Sequence, residues 1–244
     1  MATGEPIKRR KLYQEVLDRL VSGMATEFRP GSLLPSEREL MQRYSVGRPA
    51  IREAMHALRQ MGLLRISHGE RARVVAPTTD AIMEQMTNGF VLMLATNPNG
   101  LDELKEARLM LEVGLVRRAT QRATSADIDR LAECHRALVA ARGKRSAFIA
   151  ADMAFHGAIA EIAGNAMIAS VTRAMLAWLA RFRVEVVSVR GADSLTIQEH
   201  ESIYRAIATG DENKAAAAIE RHLTRANELY SKLAAQNAIE SVAS

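Results

Sequence analysis

Residues 151–156 read Ala-Asp-Met-Ala-Phe-His, and they lie in a long stretch of the chain that contains no proline. The last of the six prolines is Pro98, so the whole region beyond it is free of the residue that most often interrupts helices. On a helix, Asp152 and His156 project from the same face, one turn apart. A carboxylate and an imidazole at this spacing form half of a possible metal site, although a solvated aspartate beside a core histidine is the ordinary alternative.

The region around this stretch predicts helices only. Apolar periodicity and breaks at glycine, asparagine and serine predict seven of them, at about 79–95, 101–122, 126–142, 146–162, 166–188, 195–209 and 212–235. Gly210 followed by Asp211 is typical of a helix stop and the cap of the next helix. We therefore expect an all-α bundle.

Composition sets outer limits. At 244 residues the chain is long enough for two domains, and its net charge is +5. Residues 1–77 hold 14 Lys and Arg against 8 Asp and Glu, so the positive excess lies in the first third. This favours contact with a polyanion, with a merely soluble basic surface as the alternative. One cysteine, no apolar run near the ~20 residues of a membrane span and no secretory signal predict a cytoplasmic protein without membrane contact.

The first third predicts three helices. Apolar residues at i, i+4 spacing indicate a helix over about 8–24. Ser36 and Glu39 have the spacing of a capping box, so they predict the start of a short second helix. A third helix is expected over about 48–61, after a tight turn.

Two short strand patterns follow, at about 63–66 and 72–75, and predict a β-hairpin with its turn at Gly69. Three helices and a hairpin make a winged helix-turn-helix, whose third helix enters the major groove. Arginine's planar fork can bind guanine or clamp phosphate. The cationic side chains that would meet DNA are Arg48, Arg52 and Arg59 on the third helix, Arg38 on the second, and His68 and Arg71 at the wing tip. For any one of them a solvated surface is the alternative.

Three stretches carry a family resemblance: 35–40 (Pro-Ser-Glu-Arg-Glu-Leu), 46–54 (Val-Gly-Arg-Pro-Ala-Ile-Arg-Glu-Ala) and 58–63. Together they resemble the DNA-binding domain of GntR-family bacterial transcription regulators, over about 8–76. The resemblance implies a DNA-binding role for Arg38, Arg48, Arg52 and Gly69.

One segment departs from the usual family pattern. Many members have Ser or Thr-Arg-Thr-Pro-Val-Arg where this chain has Gly-Arg-Pro-Ala-Ile-Arg at 47–52. Together with the wing sequence at 68–74, His-Gly-Glu-Arg-Ala-Arg-Val, this segment is similar to the branch that includes a repressor of sialic-acid catabolism.

Two further histidines, His200 and His222, fall on the sixth and last predicted helices of the bundle. Three helices could therefore bring one aspartate and three histidines together, although each histidine by itself is more often an ordinary interior or surface residue. Asp152 and His156, with Gly-Asn at 164–165, His200 to Asp at 211, and His-Leu at 222–223, resemble the FCD effector domain of the FadR subfamily, over about 100–235. That resemblance implies a divalent metal on Asp152, His156, His200 and His222, and effector contacts by Arg108 and Asn165.

The chemistry agrees with such a site. Three imidazoles and one carboxylate suit zinc first, and also nickel or manganese. A small carboxylate effector could fill open metal positions while Arg108 pairs with its carboxylate. The alternative for Arg108 is a surface salt bridge to Glu112, four residues along the helix. Sialic acid is the first effector to test, and another sugar acid or hydroxy acid is the next.

The sequence therefore predicts a mostly α protein with a winged helix-turn-helix domain at 8–77 and an all-α metal-binding, effector-binding and dimerisation domain at 78–236. We expect a homodimeric repressor of operator DNA and not an enzyme. The competing hypothesis is a metal-dependent hydrolase or dioxygenase in the helical domain. Against it, His200 and Glu201 are not followed by a second histidine at zincin spacing, and no nucleophile elbow is present.

Overall fold

The computed structural model describes residues 11–67, 70–182 and 192–242, with side chains described as far as Asn227 and the backbone alone at residue 192 and beyond residue 227. The chain divides into two compact units, Met1–Ile82 and Met83–Ser244, which we call the N-terminal and C-terminal units. Helices dominate both units, so the predicted mostly α fold is confirmed.

The N-terminal unit contains three helices near the predicted positions. Residues 8–10 of the predicted first helix lie outside the described residues, and that helix begins at Leu12. Ser36 Oγ accepts a hydrogen bond from the Glu39 backbone N–H at 3.3 Å, and Glu39 Oε2 accepts one from the Ser36 N–H at 2.6 Å. This is the predicted capping box, and it fixes the start of the second helix. Gly62 has a φ of 71°, which a residue with a side chain rarely adopts, and the third helix ends there. The three helices are α1 (Leu12–Met24), α2 (Glu37–Tyr44) and α3 (Arg48–Gln60).

A short hairpin follows α3. Strand β1 (Leu64–Arg65) pairs antiparallel with β2 (Arg73–Val74), and Leu64 lies opposite Val74. Both strands are shorter than predicted, and an isolated bridge from Leu33 to Arg73 extends the pairing. Leu64 and Val74 point inwards, because period-two alternation puts their neighbours on the solvent side. They close an apolar core whose fully buried members include Leu20, Leu34, Leu40, Ile51 and Leu58.

In the described part of the chain, seven helices follow Pro77. They are α4 (Thr79–Thr96), α5 (Gly100–Arg122), α6 (Ser125–Ala140), α7 (Arg145–Ile162), α8 (Ala166–Phe182), α9 (Ala192–Ala208) and α10 (Glu212–Val242). The predicted end of α8, residues 183–188, lies outside the described residues, and α10 is longer than predicted. Gly210 has a φ of 72°, and Asp211 Oδ1 accepts from the Lys214 N–H at 3.0 Å, so the predicted stop and cap are confirmed.

Helix α7 lies at the centre of the C-terminal unit. Phe155, Ala158 and Ile159 on this helix are buried in one apolar cluster together with residues of α5, α6, α9 and α10. The same helix carries Asp152 and His156 into that interior. The candidate site is therefore set inside the core of the bundle.

Candidate functional site

Four side chains from three helices meet in the C-terminal unit. Asp152 and His156 come from α7, His200 from α9 and His222 from α10. All four are buried, and each offers a ligand atom such that the four atoms lie within 4.8 Å of one another. The sequence predicted this set, and the structure brings it together.

Each histidine is held by its outer ring nitrogen. His156 Nδ1 lies 2.5 Å from Glu112 Oε2, His200 Nδ1 lies 2.8 Å from the carbonyl oxygen of Thr196, and His222 Nδ1 lies 2.8 Å from Glu199 Oε2. Because all three acceptors are oxygens, each Nδ1 carries the proton and donates it. This leaves a lone pair on each Nε2.

The three Nε2 atoms are buried and have no hydrogen-bond partner among the described residues. His200 Nε2 nevertheless lies 3.2 Å from Asp152 Oδ1, and His156 Nε2 lies 3.9 Å from the same oxygen. A lone pair facing a carboxylate oxygen at such distances is unfavourable unless a positive charge lies between them. The donor set therefore fits a divalent cation that accepts three imidazole nitrogens and one carboxylate oxygen.

Glu112 connects the site to Arg108. Its Oε1 accepts a hydrogen bond from Arg108 Nε at 2.5 Å, while its Oε2 faces His156. The Arg108–Glu112 ion pair, which was the alternative to an effector contact, is present, but it is buried rather than on the surface, since the two side chains are only 5% and 2% exposed. The Nη2 atom of Arg108 is also buried, and no described residue forms a hydrogen bond with it.

A second carboxylate, Glu199, supports His222 in the same way. Arg225 donates to Glu199 Oε1 from Nε and to Glu199 Oε2 from Nη2, both at 2.6 Å. The Nη2 atom also donates to Thr196 Oγ1 at 3.1 Å. Arg225 therefore fixes the carboxylate that orients His222 and contacts the residue whose carbonyl orients His200.

Burial governs the protonation of the site. Loss of hydration lowers the pKa of His222 to about 3, against the opposing hydrogen bond of Glu199. Burial also lowers the pKa of His156, although Glu112 opposes it. For Glu112 itself burial raises the pKa, but the charge of Arg108 and the hydrogen bonds from His156 and Arg108 outweigh burial and hold that pKa below its usual range. Neutral imidazoles and an ionised carboxylate are the forms that bind metal.

One other sequence candidate, Asn165, and one further histidine, His135, lie elsewhere. Asn165 is exposed in the turn between α7 and α8, where its Oδ1 accepts a hydrogen bond from the Ile168 N–H at 3.2 Å, and its role in an effector pocket stays a prediction. His135 lies on α6 with its Nε2 3.2 Å from the carbonyl oxygen of Ile197, outside the four-residue cluster.

The DNA-contact candidates lie on the surface of the N-terminal unit. The side chains of Arg48 and Arg52 are 65% and 70% exposed, and both approach Glu37, at 3.8 and 3.7 Å. They project from the start of α3, where arginines could meet base edges or phosphates. Arg38 is exposed on α2 and Arg59 on α3.

The wing candidates are only partly described. Arg71 donates from Nη2 to the carbonyl oxygen of Leu34 at 3.1 Å and to Glu39 Oε2 at 3.2 Å, so it contacts the start of α2. His68 and Gly69 lie outside the described residues. Their DNA contacts stay predictions.

Sequence reasoning missed the supporting role of Glu112 and Glu199. One signal for Glu112 was available, because Arg108 and Glu112 share a helix face with three apolar residues. These are Leu104, Leu115 and Ala119, which are buried with the pair. A charged pair within such an apolar stripe indicates a buried pair. No comparable local pattern marks Glu199.

Comparison with known proteins gives these features a family. The sequence profile described as "Bacterial regulatory proteins, gntR family" matches residues 8–74, and the FCD domain profile matches residues 103–225. The chain belongs to the GntR family of bacterial regulators. It is a DNA-binding transcriptional repressor and not an enzyme, which confirms both expectations.

Individual relatives agree with this placement. The GntR-family chain is 37% identical over 221 residues to the "HTH-type transcriptional repressor NanR" of Escherichia coli K12, covering 89% of this chain and 84% of that protein. It is 36% identical over 235 residues to the protein of the same name from Citrobacter rodentium, covering 95% and 90%. The predicted resemblance to the branch of the family that includes NanR is confirmed.

Solved structures share the fold. A GntR protein of Streptococcus agalactiae superposes with a TM-score of 0.61 at 21% identity, covering 87% of this chain and 97% of that one. The Escherichia coli protein McbR/YncC gives a TM-score of 0.52 at 16% identity, covering 92% and 99%. At these identities the likeness concerns fold alone. Among the described helices, none has both the length and the apolar character of a membrane span.

Proposed function

We propose that the C-terminal domain binds one divalent metal ion through Asp152, His156, His200 and His222. The observation that carries the proposal is the convergence of three buried imidazole Nε2 atoms on one carboxylate, with no hydrogen-bond partner for any of the three in the described part of the chain. Their outer nitrogens already donate to oxygens, as the outer nitrogen of a metal-bound histidine typically does. Zinc is the first metal to test, followed by nickel and manganese.

The effector of this repressor is, in our proposal, a small carboxylate. A metal held by these four residues would supply a Lewis acid, and one that expands its coordination beyond them would accept carboxylate or hydroxyl oxygens. Arg108 supports this assignment, because its buried Nη2 has a donor to offer while its Nε stays on Glu112. Asn165 is a further candidate contact. The similarity of the DNA-binding segments to the sialic-acid branch makes sialic acid the first ligand to test, with other sugar acids and hydroxy acids next.

The N-terminal domain would bind operator DNA with Arg38, Arg48 and Arg52, helped by the wing residues His68, Gly69 and Arg71. We propose that the protein acts in the cytoplasm as a homodimer, with domain limits near 8–77 and 78–236. A two-fold dimer reads two half-sites. The effector can release the operator only as far as it binds the DNA-free arrangement more tightly than the DNA-bound one.

Metal analysis tests the first part of this proposal. Purified wild type should carry about one metal ion per chain, because one set of four ligands is present, and His200→Ala and His222→Ala should lose it. His135→Ala is the matched control, since this histidine lies outside the cluster and should leave the metal content unchanged. Full metal content in both ligand variants would show that the assigned site is wrong.

A gel shift tests the second part. Wild type should bind the DNA upstream of its own operon at moderate salt, and sialic acid or another sugar acid should weaken that binding. The ligand variants should still bind DNA but lose the response to the acid. If no carboxylate changes DNA binding by metal-loaded wild type, the proposed effector class is wrong.

A further inference from the structure

Two carboxylates support the metal-ligand histidines, and each is held by an arginine. His156, Glu112 and Arg108 form one series, and His222, Glu199 and Arg225 form the other. In both series the carboxylate accepts from the outer ring nitrogen and from a guanidinium. A carboxylate in this position fixes the ring orientation and strengthens the imidazole as a ligand.

The two series differ in burial. Glu112 and Arg108 are 2% and 5% exposed, whereas Glu199 and Arg225 are 18% and 26% exposed. Removing one partner of a fully buried pair leaves an uncompensated charge in a medium that solvates it poorly. Water can partly replace a lost partner in the second series. A change at Arg108 is therefore passed to Glu112 more completely than a change at Arg225 is passed to Glu199.

They also differ in how the arginine is used. Arg225 donates to Glu199 from Nε and Nη2, and the same Nη2 donates to Thr196. Both donors therefore hold residues that orient the histidine ligands. Arg108 contacts Glu112 through Nε, while its Nη2 is buried and has no hydrogen-bond partner among the residues that the structure describes. Arg108 can therefore take another acceptor without leaving Glu112.

From these contacts we infer that Glu112 is a positioning residue shared by Arg108 and His156, and that it couples Arg108 energetically to the metal through His156. Glu199, by contrast, serves only to orient the ligand His222. The inference rests on the proposed metal site and deepens it. A change in the contacts of Arg108 moves or reorients the Glu112 carboxylate, because one oxygen of that carboxylate faces each partner. The same carboxylate orients His156, so the change reaches the metal.

A double-mutant cycle measures this coupling, with Co2+ and Zn2+ affinities of the full chain as the readout. Glu112→Gln and Glu199→Gln should each weaken metal binding by roughly 10- to 100-fold. Arg108→Lys keeps the charge but loses the planar fork, and it should weaken binding by about 10-fold in wild type through the displaced Glu112. In the Glu199→Gln background this factor should persist, whereas in the Glu112→Gln background it should fall to about one.

The Co2+ absorption spectrum gives a readout that general loss of stability does not change. Glu112→Gln should shift the d–d bands, because His156 rotates when its acceptor changes. Glu161→Gln is the matched control. Its carboxylate also contacts two arginines, Arg130 and Arg173, but lies on the exposed side of α7. This control should keep the wild-type spectrum and affinity. Should Glu112→Gln not fold, Glu112→Asp replaces it in the cycle, because the shorter side chain draws the carboxylate away from His156.

The outcomes separate the two claims. If wild type binds no metal, the proposed site fails, and the inference fails with it. If wild type binds metal but Arg108→Lys weakens binding equally in both glutamine backgrounds, Glu112 is not the shared residue and the inference alone is overturned. Loss of the Arg108→Lys effect only in the Glu112→Gln background supports it.

Discussion

The two units place their functional side chains in opposite environments. In the N-terminal unit, the side chains of Arg48 and Arg52 are exposed to solvent and are not part of the apolar core. In the C-terminal unit, His156 and His200 are almost fully buried, and the ring of Phe155 lies 4.6 Å from that of His200, between centroids. We therefore expect recognition and stability to be separable in the first unit and inseparable in the second.

We attribute the difference to the ligands proposed for the two sites. DNA carries dense charge on its outside, so long exposed cationic side chains suit it. A small anion and a metal ion bind most strongly where water is excluded and donors are fixed in advance. That fixing needs buried partners such as Glu112, and these partners become part of the core.

Metal removal should produce the largest effect, a loss of stability in the C-terminal unit but not in the N-terminal unit. A metal that binds only the folded state adds about 4 kcal/mol to the free energy of unfolding at a thousand times its dissociation constant. A chelator should remove that stabilisation from the C-terminal unit and leave the N-terminal unit unchanged. Trp178 is the only tryptophan and lies in the C-terminal unit, so its fluorescence reports the melting of that unit.

The control for this melt is His200→Ala, which should respond neither to added metal nor to chelator. If the chelator leaves the wild-type fluorescence transition where it was, the metal contributes nothing to the bundle. The buried site would then be separable from stability, and the comparison of the two units would lose its main support.

Arg52→Ala should have the next largest effect, and on the other unit. If Arg52 meets a base edge, its loss costs about 1–3 kcal/mol of operator affinity and relaxes sequence preference. Because its side chain is 70% exposed, the melting temperature should hardly change. Competition gel shifts with operator and unrelated DNA, beside a thermal melt, measure both quantities. Unaltered preference for the operator would exclude Arg52 as a base contact.

Ser36→Ala should cost about 1 kcal/mol of N-terminal stability, because it removes the acceptor for the Glu39 N–H at the start of α2. This change tests the comparison from the structural side, since it should reduce stability without touching metal binding. Denaturant unfolding of the wild type and the variant measures the loss. Ser36→Asp, which keeps an acceptor, should restore most of it.

The sequence predicted contacts that depend on local spacing. The pair Asp152 and His156, four residues apart on one helix, and the capping box of Ser36 are of this kind. It could not predict which carboxylates accept hydrogen bonds from the Nδ1 atoms of the histidines. Glu112 and His156 are 44 residues apart, and their contact depends on how α5 and α7 are rotated against each other. Side-chain packing of the whole bundle sets that rotation, and no local pattern records it.

The smallest effect on stability should come from removing an exposed ion pair that has the same i, i+4 spacing as the buried pair of Arg108 and Glu112. Glu15 and Arg19 are four residues apart on α1 and contact each other at 2.9 Å, but their side chains are 53% and 60% exposed. Arg19→Ala should therefore cost no more than about 0.5 kcal/mol, and less at high salt, because water and ions screen an exposed pair. Arg108 and Glu112 have the same spacing at 2.5 Å, yet they are buried. Unfolding of Arg19→Ala in low and high salt measures the exposed pair. A loss of several kcal/mol there would mean that spacing, rather than burial, sets the strength of these pairs.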